Sequence, residues 1–337
     1  MRTEQDFPVT FGHQAASGVL NRLRCYAGQG RTAARIGAKV ALKALRPVIS
    51  HIQRKRPFIT AELYDYPLVM RGDHRLPEIL AFCPTFNAPL KFLAETLTED
   101  GRTLSVIDVG ANIGDTVALI EQSCPGQVHY LCIEPDPEFS QLCAYNLRNI
   151  PGVQLISELI GDLEGAEVTL VEHLPGTAAT RMGVPGSATG APARRVARLD
   201  RVAAEFVSAH GLGLLKCDTD GFDFSVLRSA QSLLETRRPA LLFEWHPDLW
   251  IKANEDPLAV FPFLRHNGYS DLAFFTNQGQ FFCTTRPGER RLFEGLRDLC
   301  LARCPLDDFH FDVLAADERL CNRVVGKSLC SLKTAKH

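Results

Sequence analysis

At 337 residues, with 45% hydrophobic and 23% charged residues, the chain has an ordinary globular composition, with room for one large α/β domain or two smaller ones. A formal charge of −2 excludes a global electrostatic drive toward nucleic acid, and no apolar run approaches membrane-spanning length. The eleven cysteines are scattered, mostly in apolar runs such as those around Cys132 and Cys283, which argues for reduced core thiols in a cytoplasmic protein rather than a disulfide framework.

Residues 1–100 read as a helical extension or cap. Between Arg22 and Arg56 there are ten basic residues and no acidic one. Within 32–55, Ile36, Val40, Leu45, Val48, Ile49 and Ile52 recur near helical spacing, interrupted at Pro47. The expected basic amphipathic helix either caps the main domain or touches an anionic membrane or an acidic carrier. Glu62 to Leu97 is expected to lead onward by helix.

Strands and helices alternate from Leu104. Strands are expected at Leu104–Val109, Val128–Ile133 and Val153–Ile160, with helices at Thr116–Gln122 and Pro137–Asn149 between them. Val168–Glu172 reads as a hairpin partner after the Gly161–Gly165 turn. Pro175–Arg194, rich in Gly, Ala, Pro and Thr, reads as a long loop. Strands at Gly213–Cys217 and Ala240–Glu244 flank a helix at Phe224–Thr236. A helix at Leu258–His266 precedes a hairpin of Asp271–Thr276 with Gln280–Thr284. The expected fold is α/β, a Rossmann-like, mostly parallel sheet with helices on both faces spanning 101–290, completed by 291–337.

Parallel sheets bind ligands at the carboxyl ends of their strands. The first such end is Asp108-Val-Gly110-Ala111-Asn112-Ile-Gly114. A dinucleotide fingerprint would need glycines at 110, 112 and 115, but positions 112 and 115 are Asn and Asp. Asp115 would also oppose a pyrophosphate at the helix start. Glu134, 24 positions after Gly110, ends the next strand, where its carboxylate can accept hydrogen bonds from both hydroxyls of a ribose. These features favour S-adenosylmethionine, with Asp108, Gly110, Ala111, Asn112, Gly114, Thr116, Glu134, Pro135 and Asp162 as its binding residues. Pro135 and Asp136 would border the adenine, and Asp162 would either meet its amino group or serve the turn that ends at Gly165.

Asp108-Val-Gly-Ala-Asn-Ile-Gly114, Ile133-Glu-Pro135, Tyr145-Asn-Leu147, Leu215-Lys-Cys-Asp-Thr-Asp-Gly-Phe-Asp223 and Arg238-Pro-Ala-Leu-Leu-Phe-Glu244 occur in that order. Together they resemble the FkbM family of methyltransferases over about 104–245. The resemblance implies the class I methyltransferase sheet and O-methylation of a sugar, polyketide or other natural-product hydroxyl. In the family's Lys-x-Asp-x-Glu-Gly block an acid precedes the glycine; here it is Asp220, which keeps the charge and shortens the reach.

Methyl transfer to an alcohol needs in-line positioning and a base for the hydroxyl proton. Asp218, Asp220, Glu244 and His246 end two successive strands and are the catalytic candidates, with His246 as the base. Asp218, Asp220 and Glu244 could alternatively hold Mg2+, although no further ligand is identifiable. Cys300, Cys304 and His310 lack the second ligand pair of a zinc site, so no metal is assigned. Asp218–Phe222 lacks the prolines of the block that grips amines in amino-group methyltransferases. Trp245, Trp250, Phe261 and Phe263 read as core before pocket. The expected substrate is therefore a small-molecule, glycan or carrier-bound hydroxyl. Methylation of a carboxylate or amine is one alternative. A non-catalytic cofactor-binding protein that docks a carrier or membrane is another.

Overall fold

The computed structural model describes residues 58–172, 180–183 and 193–334. It opens on a hairpin, β1 (Phe58–Leu63) and β2 (Tyr66–Arg71), paired antiparallel across Tyr64 and Asp65, which both adopt positive φ. Helices α1 (Leu76–Phe82) and α2 (Ala88–Thr98) follow. The alternating segment is β3 (Leu104–Val109), α3 (Asp115–Ser123), β4 (Val128–Ile133), α4 (Pro137–Leu147) and β5 (Val153–Ile156). Next come β6 (Leu159–Ile160), β7 (Glu167–Glu172), β8 (Thr180–Gly183) and β9 (Ala193–Ala197). Helices α5 (Leu199–Val202) and α6 (Ala204–His210) lead to β10 (Leu214–Cys217), α7 (Asp223–Ser229), α8 (Gln231–Arg237) and β11 (Ala240–Trp245). The chain continues through α9 (Pro247–Lys252), α10 (Val260–His266), β12 (Asp271–Thr276) and β13 (Phe281–Thr285). It closes with α11 (Arg290–Asp307), β14 (Phe311–Ala316) and α12 (Glu318–Thr334).

The main sheet has eight strands in the order β13-β12-β14-β11-β10-β3-β4-β5. β5 through β11 run parallel, and β14, β12 and β13 are antiparallel to their neighbours. This is the expected α/β sheet with helices on both faces, mixed rather than parallel on its C-terminal side. Every residue of β3 and β11 is buried, as expected of strands covered on both faces. Ile107, Leu131, Leu215, Leu241 and Phe243 enter one core, and Val106, Tyr130, Leu214, Leu242 and Leu314 enter the other.

The departures from expectation have local causes. Glu62 to Leu97 begins with the β1–β2 hairpin, because Tyr64-Asp65 forms a tight turn between alternating strands. The expected strand Val153–Ile160 divides: β5 stays in the main sheet, while β6 joins a four-stranded sheet in the order β6-β9-β7-β8. Val168–Glu172 therefore pairs with β8 and β9, not with the strand before it. The expected loop Pro175–Arg194 contributes β8 and the start of β9. The helix expected at Phe224–Thr236 breaks at Ala230 into α7 and α8. The basic helix expected at 32–55 lies outside the described residues.

The β1–β2 hairpin is fastened to the domain by Asn146 of α4. Its Oδ1 accepts from the Val69 amide at 2.8 Å, and its Nδ2 donates to the carbonyls of Val69 (2.9 Å) and Ile113 (2.8 Å). One buried amide thus connects the N-terminal hairpin to the turn between β3 and α3.

Candidate active site at the switch between β3 and β10

Strand order reverses at β3, which has β4 on one side and β10 on the other. A cleft forms at such a point because the loops diverge to opposite faces of the sheet. The turn after β3 is held by the Gly110 and Ala111 amides, which donate to the Ile133 carbonyl at 3.0 and 3.1 Å. Gly110 has φ +85°, and a Cβ there would lie 1.9 Å from the Asp218 carbonyl oxygen, so only glycine lets the ends of β3 and β10 come this close. Asn112 adopts φ +49°, and its amide donates to Glu134 Oε2 at 2.8 Å. Glu134 Oε1 accepts from the Asp136 amide at 2.9 Å, and the side chain is buried. Burial pushes the Glu134 carboxyl up to about 7, against the lowering effect of those two amides. Gly114, at φ +85°, packs against Leu147, and Thr116 is buried in the first turn of α3. Asp136, beyond Pro135, caps α4 by accepting from the Glu138 and Phe139 amides. His74 accepts from the Leu76 amide through Nδ1, so its Nε2 donates to Asn112 Oδ1 at 3.3 Å and fixes the turn from the N-terminal side.

Carboxylates crowd the neighbouring strand ends. Buried Lys216 lies 3.0 Å from Asp108 Oδ1 and 3.5 Å from Asp218 Oδ2. Burial alone would lower the Lys216 ammonium, but the charges of Asp108, Asp218 and Asp115 prevail and raise it well above the usual range. Asp108 Oδ2 has no hydrogen-bond partner among the described residues. The Asp218 side chain is 52% exposed, so it faces the cleft. Asp223 secures the following loop, with its carboxylate accepting from the Thr219 and Gly221 amides at 3.2 and 3.4 Å. Asp220, at φ +52°, is pushed up to about 8 by burial and by the charge of Asp218. The pairing of Cys217 with Phe243, and of Glu244 with Asp312, sets Asp218, Glu244 and Asp312 in a row across three strands. With Lys216 they line a cavity of about 10 Å³, room for a single water-sized occupant.

Glu244 Oε1 lies 3.1 Å from His310 Nε2. His310 Nδ1 lies 2.8 Å from the Asp308 carbonyl oxygen and donates to it, so Nε2 presents a lone pair to the Glu244 carboxylate. A proton or a cation between them is required. Burial pushes His310 down to about 4 and Glu244 well above the usual carboxyl range. Glu244 Oε2 is buried without a partner among the described residues.

Comparison with known proteins agrees with this geometry. Residues 108–270 match the methyltransferase FkbM domain. The chain carries an FkbM-type methyltransferase domain. No curated protein matches the sequence. Among solved structures, a methyltransferase FkbM from Methylobacillus flagellatus is 14% identical with a TM-score of 0.38, covering 82% of this chain and 60% of that one. This chain thus spans less than two thirds of that relative. A precorrin-6y C5,15-methyltransferase from Geobacter metallireducens is 10% identical with a TM-score of 0.34, covering 68% of this chain and 87% of that one. A human methyltransferase 10 domain containing protein is 10% identical with a TM-score of 0.38, covering 81% and 96%.

Within the FkbM-type domain, Asp108, Gly110, Ala111, Asn112, Gly114, Thr116, Glu134 and Pro135 gather around the ends of β3 and β4, and Asp218, Asp220 and Glu244 gather around the ends of β10 and β11. Two expected site residues are engaged by other partners. His246 is not free to act as the base. Its Nδ1 accepts from the Leu249 amide at 3.3 Å as the cap of α9, which leaves Nε2 protonated and donating to Asp308 at 3.2 Å. Asp162 is clamped by Arg228 at 2.5 Å and Ser225 at 2.6 Å, its amide also meets Ser225, and the Arg228 charge and these hydrogen bonds outweigh burial to lower its carboxyl. It braces β6 against α7. Trp245, Trp250 and Phe261 are buried in the core. Asp223 closes the Leu215–Asp223 block, while His74, His310 and Asp312 carry no motif that marks them as site residues, since each reaches the site only through the sheet register or loop closure.

Proposed function

We propose that this domain transfers a methyl group from S-adenosylmethionine to a hydroxyl oxygen of a glycan or natural-product-type small molecule. When bound, the cofactor supplies a methyl group activated by its sulfonium. Glu134 fits the ribose, since both its oxygens already accept amide hydrogens and each retains a lone pair for a hydroxyl. Asp108, buried with Oδ2 unpartnered among the described residues, suits the cofactor's ammonium.

The observation that carries the acceptor reading is the carboxylate row. Asp218 is the one member half open to the cleft, at the switch point, and Lys216 and Asp223 hold it and its loop in place. It can accept the hydroxyl proton as the methyl is transferred. The ten described cysteines, all unbridged, suit a cytoplasmic setting.

The test supplies labelled donor to the full chain with panels of sugar and polyketide alcohols, amines and carboxylic acids. The expected product is an O-methyl ether. Asp218→Asn is expected to lower kcat/KM by about 10²–10⁴-fold while leaving cofactor affinity unchanged. An N-methyl or ester product, or no cofactor binding at millimolar concentration, would overturn the reading.

A further inference from the structure

We infer that His74 is a positioning residue for the methyl donor: it fixes the Asn112 side-chain amide so that Nδ2 is offered to the carboxylate of S-adenosylmethionine. The inference rests on the cofactor reading above and adds to it a residue from outside 108–270, the span of the FkbM match.

His74 is itself held on three sides. Its amide donates to the Arg71 carbonyl at 3.0 Å, closing the turn after β2. Its ring stands edge-on to Phe139 of α4, with centroids 6.5 Å apart. Its Nδ1 accepts from the Leu76 amide at the start of α1. Burial holds the imidazole below its ordinary value, against the raising effect of the Asn112 contact, so the ring is neutral at neutral pH with one acceptor and one donor. Because Nδ1 is the acceptor, the proton is on Nε2, and it goes to Asn112 Oδ1.

A side-chain amide has an oxygen that accepts and a nitrogen that only donates. A donor cannot pair with the nitrogen, so the His74 N–H settles which end of Asn112 faces it. Nδ2 is left without a hydrogen-bond partner among the described residues. Asn112 stands beside Glu134, to which its own amide donates at 2.8 Å. Other amides of this turn are committed: those of Gly110 and Ala111 to the Ile133 carbonyl, and that of Gly114 to the Ala111 carbonyl. The ribose hydroxyls and the ammonium of the cofactor donate, and Glu134 and Asp108 suit them. Its carboxylate only accepts, and Nδ2 is a donor that the turn still has to offer. Without the His74 bond the Asn112 amide is free to turn over and set an oxygen against that carboxylate.

The test separates the amino-acid end of the cofactor from the rest. Full-length chain is titrated by calorimetry with S-adenosylhomocysteine and with methylthioadenosine, which keeps the adenosine and the thioether but has neither carboxylate nor ammonium. His74→Ala is expected to weaken S-adenosylhomocysteine binding by about tenfold or more and methylthioadenosine binding by less than about twofold. His74→Phe, which keeps a ring against Phe139 and lacks the donor, is expected to show the same selective loss. His74→Gln, whose amide nitrogen can donate to Asn112 Oδ1, is expected to recover most of the affinity. Glycine is at ease at the φ of +49° of residue 112, so Asn112→Gly removes the amide alone, and adding His74→Ala to it is expected to cause no further loss. Equal loss for both ligands, or no recovery in His74→Gln, would make His74 a structural brace and overturn this inference alone. A wild type that binds neither ligand at millimolar concentration would overturn it together with the cofactor reading.

Discussion

The two sides of the cleft differ in how completely their polar groups are satisfied. On the donor side, turn amides find the Ile133 carbonyl or the Glu134 carboxylate, and His74 closes over Asn112. On the acceptor side, Asp218, Glu244 and Asp312 stand in a row with Lys216 as the buried cation, and burial pushes Asp312 up to about 8. A satisfied network is rigid and receives one shape of ligand. A row of carboxyls beside one cation, with Glu244 and Asp312 pushed above the usual range, is a place where protons are exchanged. The contrast fits the proposed reading, in which the cofactor meets the first side and the acceptor the second.

The most severe way to break the contrast is to remove its shared cation. Lys216→Met leaves Asp108 charged, fully buried and unpaired, and is expected to destabilise the fold by about 3–5 kcal/mol, read as a lowered midpoint in urea unfolding. A loss under 1 kcal/mol would mean that Asp108 is neutral in the native state. Gly110→Ala follows, because its Cβ would meet the Asp218 carbonyl at 1.9 Å in a backbone with φ +85°. Strain and overpacking together cost about 3 kcal/mol, expected as about a 100-fold loss of cofactor affinity by calorimetry. Unchanged affinity would show that the two strand ends separate freely.

Protonation sharpens the donor side. Glu134 is pushed up to about 7 by burial, above its unfolded value, so the native cofactor-free protein holds more protons than the unfolded chain up to that pH and loses stability as pH rises through it. Ribose hydroxyls donate to the ionised carboxylate, so affinity for S-adenosylmethionine is expected to rise about tenfold between pH 6 and pH 8. Glu134→Gln is expected to flatten that dependence. A wild-type affinity constant across this range would remove Glu134 from the ribose.

The donor side was readable in sequence because it is local: the turn, Glu134 and Asp136 lie within about 30 residues, and each residue type states its own backbone or hydrogen-bond requirement. The main strands were readable as buried apolar runs for the same reason. The acceptor side was legible only up to Glu244. Asp312 and His310 arrive through β14, which enters the sheet between β11 and β12, and no spacing in the chain encodes that insertion. The small sheet was misread because β6 leaves the main sheet after two residues and β9 emerges from a stretch without core pattern. His246 shows the same limit from the other direction: its type suggested a base, while the neighbouring Leu249 amide and Asp308 decide what its nitrogens do.

The mildest prediction concerns that histidine. As the cap of α9, His246 contributes one hydrogen bond from Nδ1 to the Leu249 amide, and His246→Ala is expected to cost about 1 kcal/mol. His246→Asn restores a capping acceptor and is expected to lie within about 0.5 kcal/mol of wild type, since asparagine is among the strongest caps. Neither substitution removes the proton acceptor, because both ring nitrogens are already engaged. Methyl transfer is therefore expected to persist in His246→Asn and to fall by about 10²–10⁴-fold in Asp218→Asn. If turnover fell with His246→Asn instead and survived in Asp218→Asn, the imidazole would be the base after all, and the acceptor side would work through the end of β11 rather than the end of β10.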